Sequence, residues 1–399
     1  MIDTFKSDLM RVVLLIGVVV PQCVSNPILG EDHSFRTGLP ICHAEIAGVS
    51  CEFMSVDTGS TSCAIDRGWA RRNLQGDYSV FSVQINTPVG IEKIDAFRAV
   101  PLSAGGFAVR NVDLSIVDLS GYSVPMDCQM DGILGMSFLS DKIVEFDEAK
   151  GCRFLDRLPE VGSDDTVLPL RREKTGPEIE VTLPGLGTRW LVIDTGSNGA
   201  ISLKKQKVSV LDRMGHVVPV QSVEAYAGQG RLQRRSISVL RWAQVGGVRF
   251  HNILIDDIPV ETIGLGVLHH FQMILDFPGS RAILRFKGDG NECHLRSNAS
   301  GLGVTLKRNG RILIHAIRDG SPADGLGLKP SDEITRIDGL DPGSLGYWQL
   351  QELLSEAGKT ISLRVLRDGK ETEMRMTLRH TIPFPPEFPP EKPEFNPEP

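Results

Sequence analysis

One pattern occurs twice in this chain. The apolar stretch Phe53-Met54-Ser55-Val56 runs into Asp57-Thr58-Gly59-Ser60, and 137 residues later Trp190-Leu191-Val192-Ile193 runs into Asp194-Thr195-Gly196-Ser197. Each copy opens on a hairpin pattern, over residues 43–56 and 179–193, the first with Ala47-Gly48 at its turn. Strand pairs are expected around Val109-Arg110-Asn111-Val112 and around Val245-Gly246-Gly247-Val248. Each copy then reaches an apolar-glycine segment, Asp131-Gly132-Ile133-Leu134-Gly135 or Ile263-Gly264-Leu265-Gly266. The last glycine of that segment follows the Asp by 78 residues in one copy and 72 in the other. A short helical stretch and a closing strand come next, ending at Asp147 and Asp276, each eight residues before a leucine (Leu155, Leu284). A repeat of this kind requires two similar units. Its short Val/Ile/Leu runs, punctuated by 41 glycines, favour a mainly β architecture with tight turns.

With 399 residues the chain has room for two or three domains, at roughly 100–200 residues each. A net charge of −7 without any Lys/Arg cluster argues against nucleic acid as a partner, because phosphate binding needs a basic surface. Residues 12–20 form an apolar core of nine residues behind Arg11. That is short of the ~20 residues that span a bilayer and suits a secretory signal. Residues 1–25 are therefore expected to be removed, which makes the mature protein extracytoplasmic, periplasmic or secreted. Cys23 is a poor lipidation site. Six cysteines remain: Cys42, Cys51, Cys63, Cys128, Cys152 and Cys293. An even number permits disulfides in an exported protein without fixing their pairing. None has CxxC spacing, so no zinc site is expected. His269-His270 are adjacent, do not share one helix face, and are expected to be surface or packing residues. No metal or cofactor is expected.

Each Asp-Thr-Gly directly follows an apolar strand, where the chain must turn sharply; Gly59 and Gly196 allow it. Two carboxylates held about 3 Å apart cannot both ionise, so they share a proton. The charged one can act as general base on a water while the neutral one donates to a carbonyl and stabilises the oxyanion. One such tripeptide alone is better explained by an ordinary hairpin turn with an Asx-type hydrogen bond; two in matching contexts point to a pair.

These residues resemble the retropepsin-like, bacterial-type aspartic peptidases. The resemblance covers residues 40–286 and rests on Val56-Asp57-Thr58-Gly59-Ser60-Thr61, Ile193-Asp194-Thr195-Gly196-Ser197-Asn198 and the two apolar-glycine segments. It implies two tandem acid-protease β lobes, over residues 39–158 and 175–287, forming one pseudo-two-fold cleft. Asp57 and Asp194 would be the catalytic pair. Thr58 and Thr195 would cross-link the two loops through hydroxyl-to-backbone bonds, and Ser60 and Ser197 would hydrogen-bond the outer carboxylate oxygens. Flap candidates are Tyr226-Ala227-Gly228-Gln229-Gly230 and Asn86-Thr87-Pro88-Val89-Gly90.

Residues 158–178 and 287–299 are expected to be linkers. Beyond them, Gly301-Leu302-Gly303-Val304, Gly310-Arg311-Ile312-Leu313-Ile314, Gly320-Ser321-Pro322-Ala323 and Gly327-Leu328-Lys329-Pro330-Ser331-Asp332-Glu333-Ile334 resemble a PDZ domain, a small α+β module, assigned to 299–380. The resemblance implies β-addition of a peptide, with the backbone of Gly301 to Val304 cradling a terminal carboxylate and Leu302 and Val304 lining an apolar pocket. The Pro/Glu-rich residues 382–399 are expected to be a disordered, solvated tail. The expected function is an aspartic endopeptidase acting on polypeptide as a monomer, with recruitment by peptide C-termini. The alternatives are a non-catalytic peptide-binding scaffold with protease-like lobes, and lobes that each pair with a second chain.

Overall fold

The computed structural model describes residues 38–390 apart from 75–77, 88–89, 123–128, 149–150, 174–175, 228–230, 308 and 382–383. The apolar N-terminal segment, Cys128 and the tips of both flap candidates lie outside the described residues. The first lobe opens on the hairpin Ile41–Ile46 and Val49–Val56. Ala47 and Gly48 both take positive φ (53° and 78°), the turn geometry whose twist matches that of two paired strands. Alternation along these strands buries Ala44, Ile46, Met54 and Val56.

The hairpin belongs to a seven-stranded sheet in the order Ile41–Ile46, Val49–Val56, Gly132–Leu134, Cys63–Asp66, Phe107–Val117, Gly90–Ala104 and Val80–Thr87. Ile41–Ile46 also pairs with Gly90–Ala104, which curls the sheet back on itself. The second lobe repeats this plan. Val49–Val56 runs parallel to Gly132–Leu134, with Val56 opposite Leu134; Gly187–Asp194 runs parallel to Thr262–Gly264, with Ile193 opposite Ile263. Cys63–Asp66 lies antiparallel to Gly132–Leu134 and parallel to Phe107–Val117, as Ile201–Leu203 does to Thr262–Gly264 and Val248–Asp257. Each apolar-glycine strand is thus threaded between the two strands that flank its Asp-Thr-Gly loop. The helices Met136–Leu139 and Leu265–Leu268 follow at once.

The closing strands pair with each other. A five-stranded sheet runs Asp165–Pro169, Arg281–Phe286, Phe271–Asp276, Ile143–Asp147, Gly151–Leu155, with Ile274 opposite Glu145 and Leu275 opposite Val144. It joins the lobes, and one continuous core runs through both. A separate five-stranded sheet, Leu302–Leu306, Ile312–Ile317, Glu333–Ile337, Thr360–Arg367, Lys370–Thr377, carries the helices Pro322–Gly325 and Tyr347–Leu353. It has its own core, with Ile312, Ile314, Ile334, Leu350 and Leu363 fully buried.

Several expectations need correcting. The first-lobe strand pair turns at Gly105-Gly106 (φ 57° and 84°), not at residues 109–112, and so matches Gly246-Gly247 (φ 55° and 84°) in the second lobe. Neither linker is plain: Asp165–Pro169 is a strand of the joining sheet, and Glu292–His294 pairs with Val248–Asp257. The tail is not free of the body over its described part. Arg241 lies over the Phe388 ring at 4.7 Å and donates from Nη2 to the Pro389 carbonyl at 2.6 Å. Cys42, Cys51, Cys63, Cys152 and Cys293 are all free thiols.

Candidate active site

The two Asp-Thr-Gly loops meet head to head. The Thr58 amide donates to Thr195 Oγ1 at 3.1 Å, and the Thr195 amide donates to Thr58 Oγ1 at 3.2 Å. Each hydroxyl in turn donates to the strand end that launches the other loop, Thr58 Oγ1 to the Ile193 carbonyl (2.6 Å) and Thr195 Oγ1 to the Val56 carbonyl (2.7 Å). Both threonines are wholly buried, so these bonds are shielded from competing water. The reciprocity of all four bonds is a local two-fold relation between the loops.

That relation sets the carboxyls opposite the glycines. A β-carbon placed on Gly59 would stand 2.6 Å from Asp194 Cγ, and one on Gly196 would stand 2.4 Å from Asp57 Cγ. Neither position admits a side chain while the carboxyls stay where they are. Ser60 N–H donates to Asp57 Oδ1 at 3.0 Å, and Gly196 N–H donates to Asp194 Oδ1 at 3.1 Å. The two carboxyls are within hydrogen-bond reach of each other, an arrangement that needs one proton between them. Burial raises the Asp57 pKa from 3.8 to about 6, against the N–H groups of Gly59, Ser60 and Gly196 and the Asp194 carboxyl, which hold it down.

The serines do not take their expected place. Ser60 Oγ donates to the Ser62 carbonyl (2.9 Å), and Ser197 Oγ accepts from the Gly199 amide (3.1 Å). Backbone N–H groups serve the carboxylates instead, and the serine hydroxyls brace the turns behind them. Sequence reasoning also missed Tyr347. A β-carbon on Gly38 would meet its ring at 2.5 Å and the Asn198 amide nitrogen at 3.0 Å, so this residue of the C-terminal module packs beside the second loop's last residues. No local pattern marks that contact.

In the module, Gly301 takes φ 79° and a β-carbon there would lie 2.1 Å from Ser321 Cβ, so only glycine fits. Its N–H donates to Asn298 Oδ1 and the Leu302 N–H to Ser300 Oγ, both at 3.0 Å. Leu302 and Val304 turn into the module's own core and do not line an open pocket. Leu302–Leu306 is an edge strand, paired with Ile312–Ile317 on one side.

Residues 42–138 match the family model of aspartyl proteases. Residues 300–378 match that of the PDZ domain. The chain thus carries an aspartyl protease domain in its first lobe and a PDZ domain, a peptide- or protein-binding module, at its C-terminal end.

Proposed function

We propose that the chain is an aspartic endopeptidase in which Asp57 and Asp194, one from each lobe, form a single proton-sharing dyad. The observation that carries this reading is the reciprocal threonine lock, which sets each carboxyl against the other loop's glycine. In this reading one carboxylate takes a proton from a water. The protonated partner donates to the scissile carbonyl, and the water adds to the carbonyl carbon. The proton then passes to the leaving nitrogen. Substrate would lie extended between the lobes, beneath the hairpins Val80–Thr87/Gly90–Ala104 and Val217–Ala227/Arg231–Val245. The lock joins two loops of the same chain, which favours a monomeric catalytic unit over pairing with a second chain.

The test is an unstructured protein substrate, such as casein, followed across acid to neutral pH. Asp57→Asn and Asp194→Asn should each lower kcat by at least ~100-fold, the low end of what general acid–base catalysis contributes, with an unchanged circular dichroism spectrum. Turnover retained in either variant would overturn the dyad. No turnover in the wild type under any of these conditions would favour a peptide-binding scaffold.

For the PDZ domain, we propose that a peptide adds along the open edge of Leu302–Leu306. Capture of a terminal carboxylate at Gly301 to Val304 meets a competitor in the chain itself, because Asn298 and Ser300 already accept from two of the loop's N–H groups. Export after residue 25 belongs to the same reading, and N-terminal sequencing of protein recovered outside the cytoplasm checks it.

A further inference from the structure

The helix Tyr347–Leu353 does more than complete the PDZ domain. Trp348 lies flat on the His269 ring, with centroids 4.0 Å apart and planes 9° from parallel. One turn further along the same helix, Glu352 reaches the same place. One ligand-capable atom from each of His269, His270 and Glu352 lies within 4.8 Å of the others. Adjacent histidines would diverge on a helix, but the helix Leu265–Leu268 ends just before them. His269 caps it and His270 leads into Phe271–Asp276, so the two rings come together, with centroids 3.9 Å apart.

The hydrogen bonding at this place is that of a ligand set. His269 Nδ1 lies 2.6 Å from the Leu265 carbonyl. A carbonyl only accepts, so Nδ1 carries the proton and Nε2 keeps its lone pair. A backbone carbonyl on the far ring nitrogen is how metal-bound histidines are oriented. His270 Nε2 is buried with no hydrogen-bond partner. Leaving a buried polar atom unpaired is costly, and a bound ion would satisfy it.

We propose that His269, His270 and Glu352 bind one zinc ion, which pins the PDZ domain to the second lobe. Two imidazoles and a carboxylate with a water in the fourth position make a familiar zinc donor set. Bonds of ~2.1 Å put tetrahedral ligand atoms roughly 3.4 Å apart, so the side chains draw together as the ion enters. Lys287 opposes a cation here: its Nζ donates to the His269 carbonyl and stands 3.8 Å from Glu148. Glu352 and Glu148 set two carboxyl groups against that one ammonium. His251, Glu292 and His294 form a second group within the same distance limit. There the rings stack 12° from parallel, so their in-plane lone pairs run side by side and do not converge.

The experiment titrates zinc chloride into the full-length chain, stripped of metal with a chelator, by calorimetry, and follows the thermal midpoint with and without zinc. It needs no turnover. Glu352 is exposed, so Glu352→Gln leaves the fold intact; His270→Gln is the second variant and His251→Gln the control. Loss of an outer-sphere partner weakens metal binding about 10–100-fold, so loss of a ligand should cost at least ~100-fold. The expected result is zinc binding and a raised midpoint in the wild type and in His251→Gln, with both lost in Glu352→Gln and His270→Gln. Wild-type zinc affinity in Glu352→Gln, loss in His251→Gln alone, or no binding by the wild type would each overturn the site.

Discussion

Asp57 holds its proton more tightly folded than unfolded, because burial penalises its charged form. Folding therefore takes up a proton between pH 3.8 and about 6. The stability this contributes is fully present below the unfolded value and is lost as pH rises through the folded one. Turnover by a proton-sharing pair should fall in the same direction as pH rises through about 6, which a pH profile of kcat/KM checks. Asp57→Asn carries no charge at any pH. It should be more stable than the wild type at pH 7, by on the order of 3 kcal/mol, and should show a flatter dependence of the thermal midpoint on pH. The threonine lock makes a second expectation. Thr58→Val leaves the buried Ile193 carbonyl and Thr195 amide without a partner, at a cost of about 2–5 kcal/mol. Thr58→Ser keeps the hydroxyl and should cost about 1 kcal/mol for the lost methyl. Denaturant titration of the two variants separates them. The aspartates, threonines and glycines were legible in the sequence because their tripeptide recurs in matching context. The serine bonds were not, since a hydroxyl has several acceptors in reach and only the built turn selects one.

At the level of elements, the strands around each tripeptide followed from alternation and turn chemistry, and the repeat supplied their order. The first-lobe turn is marked by its paired glycines and not by Val109 to Val112; Gly105-Gly106 is the better signal because both residues must take positive φ. The PDZ loop was legible as glycine-rich, but not as self-occupied by Asn298 and Ser300. Charge-assisted bonds to a terminal carboxylate are worth about 1.5–3 kcal/mol, or roughly 10–100-fold in affinity. With two of the donors already engaged, we expect a peptide acid and its C-terminal amide to differ by less than that. Binding to the full-length chain carrying Asp57→Asn, which spares the peptide, is the measurement. Gly303→Val is a poor probe of this site. Its β-carbon would stand 2.9 Å from Ala316 Cβ, at a register shift between Leu302–Leu306 and its neighbour, and so would strain the sheet itself.

Over the whole molecule, the sequence suggests separable parts and the structure joins them. Trp348 belongs to the core of the lobes, Tyr347 packs beside the second active-site loop, and Phe388 and Pro389 return to Arg241 on the second lobe. These contacts join distant stretches of chain, which no local pattern records. A chain ending at Phe286 should consequently be less stable than the full-length protein and prone to aggregate, although both lobes are present. Trp348→Ala should itself cost about 3–5 kcal/mol, read as a lowered midpoint of the lobes' own unfolding.

The sheet that joins the lobes also sets a condition on synthesis. One edge of Ile143–Asp147 is covered by Gly151–Leu155, which emerges almost at once. The other edge is completed by Phe271–Asp276. While the ribosome adds the intervening residues, the first lobe presents a bare strand edge, an open template for pairing with another chain. At ~5–20 residues per second this exposure lasts several seconds or more. The nascent chain is therefore most exposed to misassembly before its second half has been made.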